Sequence, residues 1–335
     1  MATVYFSGTI SDSAIKTITQ KAIKDLKSPV AIKTHFGEKG NSRFVPPENI
    51  KPVIDLVKDK EPFLTDTNTL YRGMRINATD HVKIAKKHGF GSLNLPIVIA
   101  DGENGDDEEK VSVDGNHFRE VLIGKKISDV ESMVVISHFK GHILFGFGGS
   151  LKNLGMGGGS RAGKLAMHSK IVPVIGDDCI GCGICRDNCA AEAIDIDEKA
   201  HINDNCIGCA KCISVCPYGT IKVPWHGATS QEAQERCAEY AAGCVKGKSC
   251  VYVTFITNIT RDCDCLSDSE IIAEDVGVIA STDPVAIDQA AYDLLFEANG
   301  KDVFKEVTGV DGTGIIAHAE KMGMGSRVYD LEKTL

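Results

Sequence analysis

The chain lacks a basic leader followed by a long apolar run: it opens MATVYFSGTISD, and no secretion signal is read there. No stretch approaches the roughly 18 consecutive apolar residues that span a bilayer, so no membrane segment is expected. A positive surplus is missing too. The formal net charge is −9, from 46 Asp and Glu against 37 Lys and Arg, and nucleic acid is not an expected partner. Without export, the thirteen cysteines are expected as reduced thiols in the cytoplasm. A disulfide scaffold suits small secreted chains, whereas 335 residues suffice for two ordinary domains or one large domain with an insertion.

Eight cysteines are present as two runs of identical spacing. One is Cys179-x-x-Cys182-x-x-Cys185-x-x-x-Cys189; the other is Cys206-x-x-Cys209-x-x-Cys212-x-x-x-Cys216, followed at once by Pro217. This C-x₂-C-x₂-C-x₃-C spacing binds cubane iron–sulfur clusters, and its duplication implies two. A zinc site uses four ligands, usually as two separated pairs, and gives no reason for a third cysteine at the same interval. Residues 174–224 resemble the bacterial two-cluster ferredoxins, in which the fourth ligand of each cluster comes from the other run. That assigns Cys179, Cys182, Cys185 and Cys216 to one [4Fe-4S] cluster and Cys206, Cys209, Cys212 and Cys189 to the second. Gly181, Gly183 and Gly208 lie between ligands, where tight turns are needed. Ala193, Ile194, Ile196, Ile202, Ile213, Val215 and Ile221 are expected to keep water off the clusters. From Gly176 to Pro224 there are eight Asp and Glu against four Lys and Arg; this face either docks a basic redox partner protein or serves solubility. Exposed cubanes are oxygen-sensitive, which points to an anaerobic host.

The flanks alternate strand-like and helix-like segments. Strands are expected around Tyr5 and over Pro29–Lys33, Pro62–Asp66, Ile97–Ala100, Met133–Ile136, Val251–Ile256 and Val276–Ala280. Helices are expected over Ser11–Leu26, Asn49–Lys58, Ala78–His88 and Gln231–Val245, and after Thr282-Asp283-Pro284, where a polar cap precedes proline at the first helical position. Asp101 to Glu109 reads as a solvated acidic loop. The pattern predicts an α/β fold: a mixed, mostly parallel sheet flanked by helices, with an inserted α+β ferredoxin. The C-terminal hundred residues are too strand-poor for their own sheet. They are expected to complete that of the N-terminal part, giving 1–173 and 225–335 as one domain interrupted by 174–224.

A second constellation runs from His138 to His168. It carries His138, His142, Lys152, Asn153, Arg161, Lys164 and His168 among many glycines, directly after a predicted buried strand. Glycine lets backbone N–H groups approach an anion, Lys and Arg supply charge, and His supplies a proton or a metal ligand. The segment reads either as a pocket for an anionic small molecule or cofactor or as a glycine loop with solvated charges. Gly158 to Lys164 matches G-x-x-x-x-G-K, but Leu165 replaces the Ser or Thr that would hold magnesium.

His138-Phe-Lys-Gly-His142, Gly148-Gly-Ser-Leu-Lys-Asn-Leu-Gly155, Cys263-Asp-Cys265 and Asp275 to Asp288 together resemble the uncharacterised domain-of-unknown-function family 362. Its members often carry an inserted ferredoxin. The stretch from His142 to Lys152 is more distantly similar to the histidine-to-lysine segment of the nickel-pincer lactate racemases. That likeness implies Lys152 as a cofactor anchor and His142 and His168 as acid–base or metal-binding groups. The racemase Asp-x-Thr-Arg signature is absent; Lys33-Thr-His-Phe-Gly37 with Arg43 stands in that region.

Cys237, Cys244 and Cys250 read as buried core thiols. In an extended backbone Cys263 and Cys265 would point the same way, as a third metal site, a redox pair facing the glycine-rich segment, or free thiols. Three functions follow: an iron–sulfur oxidoreductase passing electrons from a partner to an anionic ligand, an electron carrier or binding module without turnover, and a racemase-like isomerase.

Overall fold

The structure, a computed structural model, describes residues 1–168, 172–224 and 228–334. The expected junctions at 173/174 and 224/225 adjoin the segments 169–171 and 225–227, which lie outside the described residues. Eight strands form the main sheet: β1 (Ala2–Ser7), β2 (Val30–Lys33), β3 (Phe63–Asp66), β4 (Ile97–Ile99), β5 (Ser132–His138), β6 (Ser249–Ile256), β7 (Gly277–Ser281) and β8 (Tyr329–Lys333). Their spatial order is β8-β1-β7-β6-β5-β2-β3-β4. Only β7 runs against the others, antiparallel to both β1 and β6, while the remaining neighbours pair in parallel. The sheet is mixed and mostly parallel. Strands from both sides of residues 174–224 share it.

Burial on both faces explains the unbroken apolar runs. Every residue of β5 is buried, as a central parallel strand covered by helices requires. Met133 and Val135 point into one apolar cluster, Val134 and Ile136 into another. The second cluster is closed by the helices Asp12–Ala22 and Pro47–Val57. Ser11 caps the first of these by accepting from the Ala14 N–H. The first cluster is closed by the helices Ser150–Gly158, Ser230–Val245, Pro284–Asn299 and Gly314–Lys321. Asp283 caps Pro284–Asn299, accepting from Val285 and Ala286.

The glycine-rich segment is ordered rather than a loop. It forms a short hairpin, Lys140–His142 against Gly146–Gly148, and then the helices Ser150–Gly158 and Arg161–His168. Two of its glycines let helix Ser150–Gly158 lie directly on helix Ser230–Val245. A Cβ on Gly155 would meet the Cys237 carbonyl oxygen at 2.3 Å, and one on Gly158 would meet Cys244 Sγ at 2.6 Å. Cys237 and Cys244 are fully buried at this contact. Gly155→Ala should therefore lower stability by about 1–3 kcal/mol, the range for overfilling a close-packed contact, measured as a lower urea midpoint.

Residues 174–224 build a small unit of two short sheets, with Leu70 and Leu165 packed into its apolar cluster. Val174–Ile175 pairs with Ile221–Lys222, and Ile194–Ile196 pairs with Ala200–Ile202, both antiparallel. A short helix follows each glycine-containing turn, Ile184–Asp187 and Lys211–Val215. Gly181, Gly183 and Gly208 all have positive φ, at +64°, +80° and +71°, the left-handed region that glycine enters without steric cost.

Candidate functional site

Two hollows open in this small unit. One is lined by Cys189, Cys206, Cys209 and Cys212 with Ala193, Ile194, Ile202 and Ile207. The other is lined by Cys179, Cys182, Cys185 and Cys216 with Ile180, Ile184, Ala200 and Ile221. Each hollow takes three cysteines from one run and the last cysteine of the other. Backbone N–H groups reach the sulfurs: Ala193 donates to Cys189 Sγ at 3.3 Å and Ala200 to Cys179 Sγ at 3.5 Å. Burial pushes the Cys212 thiol up to about 12, and the neighbouring thiols add to it. Among the described residues no three His, Cys, Asp or Glu side chains gather as a group for a metal ion.

A second centre lies on the main sheet. Strands β2 to β6 share one direction and deliver their C-terminal ends to one edge. The chain runs from β2 outward through β3 and β4, then returns to the other side of β2 as β5. That reversal makes the β2/β5 boundary a topological switch point, the place where open α/β sheets bind ligands. Here apolar strands end in charge: Lys33 closes β2, Asp66 closes β3, and Asp101 follows β4. Lys33 Nζ lies 3.0 Å from Asp66 Oδ1 and donates to Asn153 Oδ1 at 2.7 Å. Asn153 in turn donates to the Ile136 carbonyl and to Ser137 Oγ, each at 3.0 Å, bridging the two strands across that boundary. Burial would raise the Asp66 carboxyl, but Lys33, His35, His81 and Arg75 outweigh it and hold it well below the carboxylate range. Arg75 is fully buried and reaches His35 Nε2 at 2.8 Å, Glu38 Oε2 at 3.4 Å and the Tyr71 hydroxyl.

The Cys263-Asp264-Cys265 segment is a tight turn over this edge. Leu266 N–H donates to the Cys263 carbonyl at 3.1 Å. Asp264 points inward, fully buried, and accepts from His138 Nδ1 at 2.9 Å and from Lys140 Nζ at 2.6 Å. His138 Nε2 faces the Thr257 carbonyl at 2.8 Å, so both of its ring nitrogens are engaged within the protein. His142 and His168 instead flank the ring of Phe145, at 5.0 and 6.3 Å between ring centres, and Lys152 Nζ stands 5.3 Å from the same ring. Leu144 and Phe145 N–H groups donate to His142 Nδ1, which leaves the ring proton on Nε2. Burial, then Lys152, push His142 well below its ordinary value and His168 down to about 4.

The chain belongs to the family described as Domain of unknown function (DUF362), which matches residues 30–293. No curated protein matches the chain. Among solved structures, this DUF362 protein is similar to the lactate racemase apoprotein from Thermoanaerobacterium thermosaccharolyticum, with a TM-score of 0.45 and 14% identity. That alignment covers 84% of this chain and 54% of the racemase. It is also similar to a protein from Thermotoga maritima, with a TM-score of 0.42 and 10% identity, over 91% of this chain and 60% of that one. The chain spans between half and two thirds of the length of both.

Of the residues expected at a site in this DUF362 protein, the structure gathers His142, Lys152 and His168 around the Phe145 ring. Arg161 and Lys164 are turned into the protein. Arg161 Nε donates to the Asn104 carbonyl at 2.8 Å. Lys164 Nζ donates to Thr67 Oγ1 and to the Gly159 carbonyl, the latter at 2.7 Å. Burial pushes Lys164 down to about 8 and Asp101 up to about 6. Asp101 is fully buried, against the expectation of a solvated loop, because it closes β4 and accepts from the Asn68 backbone and side-chain amides. Asp288, at the end of a family motif, accepts from the Ser150 and Leu151 N–H groups and so fixes the helix that carries Lys152 and Asn153. Lys33, His35, Asp66, Arg75 and Asp101 were missed in the sequence reading. A charge closing each of several buried parallel strands was the signal for three of them.

No helix of the described residues is long and apolar enough to cross a membrane.

Proposed function

We propose that this DUF362 protein is an iron–sulfur electron-transfer protein. Residues 174–224 would form an inserted two-cluster ferredoxin within an α/β domain made of 1–173 and 225–335. Cys179, Cys182, Cys185 and Cys216 would hold one [4Fe-4S] cluster; Cys206, Cys209, Cys212 and Cys189 would hold the other. The observation that carries this reading is the composition of the two hollows: four thiols each, shared between the runs, with apolar walls and N–H donors on the sulfurs. Such clusters supply single electrons. The exposed Ile180, Ile207 and Tyr218 at their rims offer a redox partner protein an apolar contact. Electrons would pass to the site at the sheet edge, where Lys152 is the cation offered to an anionic small molecule and Asn153 ties it to β2 and β5.

The test is anaerobic purification with metal analysis and EPR spectroscopy. About eight irons per chain are expected, with the signal of reduced cubanes after dithionite. A chain holding zinc in place of iron would overturn the reading.

A second reading, a non-redox isomerase, is favoured by the neutral His142 and His168 gathered with Lys152 around Phe145. Nickel retained in the same preparation, with no electron uptake by the sheet-edge site, would favour it over electron transfer.

A further inference from the structure

The Cys263-Asp264-Cys265 turn is held at every carbonyl. Leu266 N–H donates to the Cys263 carbonyl at 3.1 Å and Glu38 N–H to that of Asp264 at 3.0 Å. The Tyr71 hydroxyl donates to the Cys265 carbonyl at 3.3 Å, and Asn41 Nδ2 to that of Leu266 at 3.0 Å. With Asp264 anchored below by His138 and Lys140, the two flanking cysteines are carried on a turn with little freedom. Cys263 is buried and Cys265 half-buried. Gly37 N–H donates to His35 Nδ1 at 3.0 Å. His35 Nε2 lies 3.4 Å from Cys265 Sγ. Arg75 Nη1 stands 2.8 Å from the same nitrogen. A sulfur anion at Cys265 is accommodated beside this ring, which the Arg75 guanidinium adjoins.

This turn also adjoins the cysteine hollows. Arg72 Nη2 donates to the Pro217 carbonyl at 2.9 Å, and Pro217 follows the ligand candidate Cys216. The neighbouring residue, Tyr71, holds the Cys265 carbonyl. Residues 71–72 therefore link the end of one run to the thiol pair by two hydrogen bonds.

The geometry points to Cys263 and Cys265 as a redox-active dithiol that alternates between a thiol–thiolate pair and a disulfide, exchanging electrons with the clusters. This rests on the electron-transfer reading above and names its two-electron acceptor. In the reductive direction the Sγ–Sγ bond breaks on taking up two electrons, which bound clusters would supply one at a time. One proton goes to Cys263 Sγ; Cys265 Sγ keeps its electron pair as thiolate, facing His35 and Arg75. Disulfide formation is the same step reversed. A dithiol of this kind would let two one-electron carriers serve two-electron chemistry at the sheet edge.

The tryptic peptide from Asp262 to Lys301 contains Cys263 and Cys265 and no other cysteine, so its mass reports the pair alone. The full chain is purified anaerobically, and its iron content and EPR signal are recorded first. It is then oxidised with diamide, denatured in iodoacetamide and digested. The expected peptide is unalkylated and has the mass of a disulfide; after dithionite it becomes doubly alkylated. Reductive titration of the oxidised chain should consume two more electrons per chain than Cys265→Ser or Cys263→Ser before the cluster signal is complete, with iron unchanged in both variants. Absence of iron would overturn the cluster reading and with it the electron supply. Iron and signal present, with the peptide doubly alkylated after diamide or with equal electron uptake in wild type and variants, would overturn the dithiol alone.

Discussion

Cys189→Ser should empty the hollow whose other three thiols are Cys206, Cys209 and Cys212, and leave the hollow nearer in sequence intact. Cys189 closes the first run, so a ligand set confined to one run would predict loss beside Cys179, Cys182 and Cys185 instead. The structure turns Cys189 across to the second run and Cys216 back to the first. Serine keeps the shape but offers a far weaker ligand to iron. Iron is expected to fall from about eight to about four per chain in either variant. The two variants should remove different halves of the EPR signal, and Cys216→Ser should spare the half that Cys189→Ser removes. Loss of the same half in both would contradict the crossed arrangement.

Asp264→Asn should unfold the sheet edge at much lower denaturant than wild type. Its carboxylate is fully buried between His138 and Lys140. Neutralising it leaves the Lys140 ammonium without its counter-charge, which costs about 3–5 kcal/mol when one partner of a buried pair is removed. Lys140→Gln in the same chain should recover part of that loss, since the two substitutions share one interaction. The pH dependence has a definite sign. Burial raises the Asp264 carboxyl, but His138 and Lys140 outweigh it and hold the group well below the carboxylate range. A carboxyl depressed in the folded state stabilises fully above its unfolded value, near pH 4, and that contribution is lost as pH falls further. The gap in urea midpoint between wild type and Asp264→Asn should therefore be constant above about pH 5 and narrow on acidification. A gap unchanged down to about pH 3 would show that the carboxylate charge is not what holds this turn.

Particular residues show where the sequence was legible. Val-Ala-Ile before Lys33 and Met-Val-Val-Ile at 133–136 read as strands because burial on both faces demands continuous apolar side chains. Thr282-Asp283-Pro284 read as a helix start because capping is local chemistry, complete within a few residues. The glycines between 138 and 168 were harder. Their spacing is compatible with an anion loop, and only the position of Cys237 and Cys244 on a helix some eighty residues later shows that Gly155 and Gly158 make room for a neighbour. The same holds for Asp101. It sits in a stretch rich in Asp and Glu, yet it closes a parallel strand and faces Asn68 from the next loop.

By itself the sequence determined the eight-cysteine spacing, the order of seven of the eight sheet strands, and the family membership, because each rests on short-range periodicity or fixed intervals. Tertiary structure alone decided that Arg161 and Lys164 turn inward, that His138 is tied up at both nitrogens, and that Lys33, Asp66, Arg75 and Asp264 meet at one sheet edge. The reason is physical. A buried charge is tolerated only beside its partner, and these partners come from strand ends far apart in the chain that only the parallel sheet brings together.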